Sequence, residues 1–258
     1  KKISYAVKSK SGSLVILAKG YNWKEKGGRE KSWKLVLDVY VPVNEKRLEI
    51  ESPYIYIHEI SDITEIELTA KELLDVTSLQ NVQKLKIEAS SNTVNLRSLK
   101  NVQQVEVEAK RSVLLGDIDT VGKMEVTTEK GNIIANNLTG IKEVTLDNEL
   151  DVAVIDATKI DRLNLVSKRS SVSIENLNES RDIQLNARLN IDIKEAHLVG
   201  RLIAYSVDSQ ITIDSATMIE ELELTCKGDL RVNHIEDVPN REFMSKVGMQ
   251  LIRARSFK

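Results

Sequence analysis

Between Arg47 and about Val238 one short pattern returns ten times with almost no change in length. The segments begin at Arg47, Thr64, Gln83, Gln103, Gly122, Lys142, Asp161, Arg181, Arg201 and Glu220, a spacing of 17–20 residues. A period this constant marks a stacked repeat, in which each unit buries its apolar side against its neighbours. It constrains the fold before any local reading begins.

Each segment carries the same internal grammar. A first alternation offers two apolar positions, such as Leu48/Ile50, Ile66/Leu68, Leu85/Ile87, Val144/Leu146 or Ile203/Tyr205, with polar residues between them. Alternation at period two is a strand with one buried face. A polar corner follows, then a second alternation such as Leu74/Val76, Val152/Val154 or Ile211/Ile213. Val and Ile dominate there, which suits a pleated surface better than a helix. A third pair closes most segments, as in Leu79/Val82, Ile118/Val121 and Ile235/Val238; the segments at Asp161 and Arg181 keep it less cleanly.

The expected fold is all-β, a parallel β-helix (β-solenoid) of about ten coils of 17–20 residues. At one strand spacing per coil the rod is about 48 Å long. The rival is a leucine-rich repeat, which the run from Leu99 to Val107 resembles. That architecture returns by a helical or irregular path, whereas Ser171 to Ile174, Asn190 to Ile193 and Gln210 to Ile213 alternate as strands.

The ends differ from the middle, giving three regions: 1–46, 47–238 and 239–258. Ser13 to Ala18 and Trp33 to Val41 read as strands joined by a charged stretch with Gly27-Gly28 as the turn, a hairpin that caps the first coil. Trp23 and Trp33 lie in this region, where they cover the first coil or contact a ligand or membrane. Beyond Asp237, Pro239 followed by Phe243, Val247 and Leu251 predicts a short helical or irregular C-terminal cap, basic through Arg241, Lys246, Arg253, Arg255 and Lys258.

The net charge is -2, so no overall field recruits nucleic acid, and no nucleic-acid partner is expected. One cysteine, Cys226, forbids an internal disulfide framework and reads as a wall or core residue. No apolar run is long enough to span a bilayer. The chain begins Lys-Lys, which reads as a piece of a longer protein.

Chemistry is sparse. His58 and His197 fall about 34 Å apart at one strand spacing per coil, and His234 occupies a different place in its coil from His197. With a single cysteine beside them, no metal set or Cys-His pair assembles, so no cofactor is expected. Glu49, Glu67, Glu106 and Glu125 form one acidic column, interrupted by Lys86, beside Glu51, Glu88 and Glu108. Acid pairs of this kind serve carbohydrate-cleaving β-helices, but coils of uniform length build no cleft walls, and a solvated face is the expectation. The corner between the two strands is the stronger candidate. Lys71, Lys110, Arg111, Lys130, Lys168, Arg169, Arg188 and Lys227 stack there into a broken basic ridge, suited to an anionic polymer or lipid head groups.

The run Leu35-Val36-Leu37-Asp38-Val39-Tyr40-Val41-Pro42, then Leu48-Glu49-Ile50-Glu51-Ser52 and short repeats, resembles the bacterial adhesin-type domain-of-unknown-function family of LiaX/YvlB type. That family's Ser-Gly-x-Gly-Asp corners are replaced here by Ser90-Ser91, Lys110-Arg111 and Lys168-Arg169; Lys130-Gly131-Asn132 and Lys227-Gly228-Asp229 stay nearer to them. The resemblance implies a non-catalytic cell-envelope or surface protein linked to envelope stress or adhesion, at the outer surface or the cytoplasmic face of a membrane. Its partner would be a protein or an anionic envelope component. A different class, a scaffold that self-assembles end to end through its terminal coils, is the alternative.

Overall fold

The computed structural model describes the backbone of residues 4–9, 13–19, 23–24, 30–31, 46–90, 93–246, 248–251 and 254–255, with side chains for 46–90 and 93–246. The chain is an all-β parallel solenoid of about ten coils. Strand stacks on strand in register: Val144 faces Met124 on one side and Leu163 on the other, and Val152 faces Ile133 and Val172. The two apolar alternations and the closing pair point inward together, so Leu146, Val154, Ala157 and Ile160 of one coil are all at most 1 % exposed. A coil alone cannot offset its ordering entropy; the shared aliphatic core and the ladders between coils do so collectively.

One inward assignment is corrected. The pair Ile203/Tyr205 faces outward, Tyr205 being 44 % exposed, while Leu202 and Ala204 fill the core. Register decides it, because Ile183 aligns with Leu202 and Leu185 with Ala204, and a one-residue slip would turn the whole strand over.

Every described coil closes with one residue in the left-handed backbone region: Asp62, Asn81, Asn101, Thr120, Gly140, Lys159, Glu179, Leu198, Met218 and Asp237. The steps between these positions alternate strictly between a shorter and a longer one, the longer exceeding the shorter by a single residue. That extra residue sits in the corner between the two strands. Ala89 to Val94, Thr128 to Ile133, Ser167 to Val172 and Ser206 to Ile211 span five positions; Ala109 to Val113, Asn148 to Val152, Ala187 to Ile191 and Cys226 to Leu230 span four. The physical repeat is therefore a pair of unlike coils, one with a long corner and one with a short.

Two side-chain systems follow the same double period. On every second coil Ser167, Ser206 and Ser245 donate their hydroxyls to the carbonyl oxygens of Leu150, Leu189 and Gly228 in the preceding short corner. The outward position that opens each coil alternates in sign: Arg47, Glu65, Lys84, then Lys123, Glu143, Arg162, Asp182, Arg201 and Glu221. Ion pairs run along it, from Arg47 to Glu65 at 3.6 Å, Lys84 to Glu65 at 3.9 Å, Arg162 to Asp182 at 3.9 Å and Arg201 to Glu221 at 3.1 Å.

The left-handed column is built mostly from residues other than glycine. A Cβ there costs about 1–2 kcal/mol, least for Asn and Asp, and a β-branched residue is the worst case. Hydrogen bonds offset part of this at one end: Asn101 Nδ2 donates to Asn81 Oδ1 at 3.1 Å, and Asn81 Nδ2 to Asp62 Oδ1 at 2.9 Å. Thr120 is the next position and breaks the series. Thr120→Asn is expected to raise unfolding stability by about 1 kcal/mol, read as a higher urea midpoint at unchanged slope.

At the N-terminal end, Ser13–Lys19 adds to Arg47–Ser61 in parallel and pairs on its other side with Ser4–Ser9 in antiparallel fashion. Ser13–Lys19 thus has Ser4–Ser9 as its hairpin partner, and a second small ladder joins Trp23–Lys24 to Glu30–Lys31. The expected turn at Gly27-Gly28 and the strand from Trp33 to Val41, with the motif ending at Pro42, lie outside the described residues.

The helix expected after Pro239 is corrected. Asn240–Ser245, Gly248–Leu251 and Ala254–Arg255 are strands that continue the stack. Phe243 aligns with Leu224, Leu251 with Val232 and Ala254 with Ile235, so the same apolar residues satisfy the period of two when a strand edge is waiting. Arg241 takes the column that Leu222 fills in the coil before, and it stays exposed. A charge at the open end of a sheet deters addition of another strand.

Candidate functional site

The corner between the two strands begins after a buried residue of small or moderate size in nine coils, Ala70, Ala89, Ala109, Thr128, Asn148, Ser167, Ala187, Ser206 and Cys226, and after the half-buried Ser52 in the first. Space there is too narrow for a large side chain, and a polar one can cap the turn beneath it. Asn148 is fully buried, accepts the Thr128 hydroxyl and donates to the Asp151 carbonyl oxygen at 2.8 Å. Cys226 is 3 % exposed with Sγ 3.3 Å from the Gly228 carbonyl oxygen, and burial pushes its thiol pKa up. It is a wall residue, with no thiolate character for nucleophilic work.

All eight expected cations do lie on this corner, in two adjoining columns. Lys71, Lys110, Lys168, Arg188 and Lys227 follow the small buried residue directly; Arg111, Lys130 and Arg169 come next. The ridge is less basic than the residue types imply. Lys71 pairs with Glu51 at 3.9 Å and Lys168 with Asp147 at 2.8 Å. Asp208 sits between Arg188 at 3.1 Å and Lys227 at 3.4 Å. The bonds from Arg188 and then Lys227 hold the Asp208 carboxyl below the usual carboxylate range, and the bond to Asp147 raises Lys168.

Four cations remain outside any ion pair among the described residues: Lys110, Arg111, Lys130 and Arg169. Three of them form one cluster. The Lys130 amide donates to the Lys110 carbonyl oxygen at 2.9 Å, which lays Lys130 across from Arg111 on the next coil. Gly131 makes that approach close, since a Cβ there would lie 2.2 Å from the Ser112 nitrogen. The one carboxylate in the same corner is Glu129, whose amide donates to the Ala109 carbonyl oxygen.

The acidic column is real but dispersed. Glu49 faces Glu67, Lys86 faces Glu106, and Glu106 faces Glu125 on the outer face of the first strand stack. Arg47 takes Glu67 at 3.0 Å and Lys86 takes Glu88 at 2.7 Å, so neighbouring cations divide the column. Among the described residues no three His, Cys, Asp or Glu side chains are placed to hold a metal ion. His197 Nδ1 lies 2.7 Å from Thr217 Oγ1, and His234 Nε2 lies 3.3 Å from Glu236 Oε2; Glu236 continues the His197–Thr217 column, while His234 stands in the next one, opposite Ser215. Trp23 lies in the short Trp23–Lys24 strand, and Trp33 lies outside the described residues.

The alternating charges, the double period and the left-handed column escape a reading of single segments. Asp62, Asn81, Asn101 and Asp237 are the local signal for the last of these, because Asn and Asp tolerate that backbone best. Among the described residues, no helix is long and apolar enough to cross a membrane. No family model matches the chain, and neither the curated proteins nor the solved structures searched gave a match.

Proposed function

We propose that this chain is a non-catalytic binding solenoid of a bacterial cell envelope, and that it engages an anionic envelope component through Lys110, Arg111 and Lys130. The reading rests on one observation: these three exposed cations stand together on adjacent coils with no carboxylate of the described residues within ion-pair distance, while four of the other five ridge cations are paired. Rigid spacing by the coil ladder means three weak contacts act at once, so a polyanion gains from multivalency where a single anion would not. The adhesin-type resemblance, with its implied envelope role, agrees with a binding role.

Co-sedimentation with phosphatidylglycerol vesicles, and with a polyanionic wall polymer, tests this. Wild type is expected to bind, with affinity falling as salt is raised. The triple variant Lys110→Glu, Arg111→Glu, Lys130→Glu is expected to lose binding by about a hundredfold, near 1 kcal/mol per contact. A Lys71→Gln, Lys227→Gln variant, which removes only paired cations, is expected to keep it. Undiminished binding by the triple variant would sink the proposal.

A further inference from the structure

The alternating column at the start of each coil breaks at Gln104 and again at Asn240, which follows Glu221 in the last described coil; the break at Gln104 is the one flanked by two cations. Between Lys84 and Lys123 the residue is Gln104, where the alternation calls for an acid. Every other short-corner coil supplies one there: Glu65, Glu143, Asp182 and Glu221. Lys84 and Lys123 stand two coils apart, about 9.6 Å, with an uncharged amide between them. Each lysine has an acid of its own on one side, Glu65 at 3.9 Å from Lys84 and Glu125 at 3.7 Å from Lys123, and neither acid lies between them.

The break coincides with a groove of about 870 Å³ whose lining includes Asn81, Asn101, Gln103, Gln104 and the two lysines. That volume lies within the range of small-ligand sites. Among the described residues no carboxylate and no aromatic ring lines it. A second groove on the same edge is the internal contrast. It contains Arg181 and Arg201, but Glu179, Asp182, Glu220 and Glu221 fill it with the protein's own acids.

We infer that the groove at Gln104 binds an acidic saccharide, whose carboxylate takes the place between Lys84 and Lys123 that a glutamate holds elsewhere in the column. The chemistry of the lining sets the class. Two ammonium groups flank the uncharged Gln104, and the side-chain amides of the lining offer both donors and acceptors to carboxylate and hydroxyl groups. Glu106 and Glu125 stand in the next outward column and confine the anion to the Asn81–Asn101 side. Each exposed ion pair is weak, so the site holds one residue of a longer chain and depends on its neighbours for avidity.

The test uses NMR titration of the full chain with a uronate trisaccharide, a neutral trisaccharide of the same size, and inorganic phosphate. The uronate is expected to shift the Lys84, Gln104 and Lys123 amides, and the other two probes are not. Gln104→Glu fills the break with an internal carboxylate, so it is expected to weaken uronate binding about tenfold while raising the melting temperature. That opposite movement separates lost binding from lost folding. The site is independent of the corner cluster, and Lys110→Glu, Arg111→Glu, Lys130→Glu is expected to leave uronate binding unchanged. No uronate binding to wild type, equal binding by phosphate or the neutral sugar, or undiminished binding by Gln104→Glu would each overturn the inference.

Discussion

Duplicating residues 143–181 in tandem is expected to raise the unfolding midpoint, and duplicating residues 143–161 is expected to lower it. Both insertions lengthen the same aliphatic core. The first adds a complete pair of unlike coils, and every new junction again sets a long corner against a short one. At about 0.05–0.15 kcal/mol per residue the gain is roughly 2–6 kcal/mol. The second adds a single coil and sets two short corners side by side. Glu143 then faces its own copy, at about 0.2–1 kcal/mol. The second Asn148 has no Thr128 hydroxyl to accept, which leaves a buried oxygen unpaired at about 1–3 kcal/mol. The first Leu150 carbonyl also loses the Ser167 hydroxyl. These penalties match or exceed the roughly 1–3 kcal/mol that one added coil supplies. Equal stabilisation per residue by both insertions, in urea denaturation, would show that the single coil is the true unit.

Gly131→Ala is expected to cost about 3 kcal/mol, the upper end of overpacking penalties. A Cβ at this buried position would lie 2.2 Å from the Ser112 nitrogen and 2.4 Å from the Arg111 carbonyl carbon. Both are backbone atoms of the neighbouring coil, held by Lys130 N to Lys110 O at 2.9 Å and Val113 N to Asn132 O at 3.0 Å, so neither can turn aside as a side chain would. Relief requires the two coils to part at the corner. Gly140→Ala is the control, because its Cβ would meet nothing nearer than 3.7 Å and the cost is only that of a left-handed alanine, about 1 kcal/mol. Thermal unfolding of the two variants side by side checks the ranking. Gly131→Ala is further expected to weaken anion binding at the corner, since it moves Lys130 away from Arg111.

Much of this architecture is legible in the residues because a stacked strand repeats its demand at every turn. Leu146, Val154 and Leu165 each satisfy one fixed slot, and the alternation of two exposes that slot without help from the fold. Where a slot is ambiguous the sequence misleads. Ile203 and Tyr205 look as apolar as Leu202 and Ala204, and only alignment with Ile183 and Leu185 chooses between them. Phe243 and Leu251 fit a helix as well as a strand, and the waiting edges of Glu221 to Cys226 and Asp229 to Val232 decide. The left-handed residues Lys159, Glu179, Leu198 and Met218 carry no local mark at all, since backbone geometry is imposed there by the coils above and below. The eight corner cations are visible as residue types, but their neutralisation by Glu51, Asp147 and Asp208 depends on partners a full coil away along the chain. Which cations remain unpaired is a property of the stack.

The inter-coil hydrogen bonds all run along the length of the rod, from Val94 to the Ser112 carbonyl oxygen, from Val113 to that of Asn132, and onward coil by coil. A pull applied at the two ends therefore loads them end-on and one ladder at a time, as a zipper is opened rather than sheared. Each coil that peels off releases its whole length of chain, which extends to roughly 65 Å against the about 4.8 Å it occupied. A solenoid built this way yields in small, repeated steps at low tension and lengthens many times over before its last coil opens.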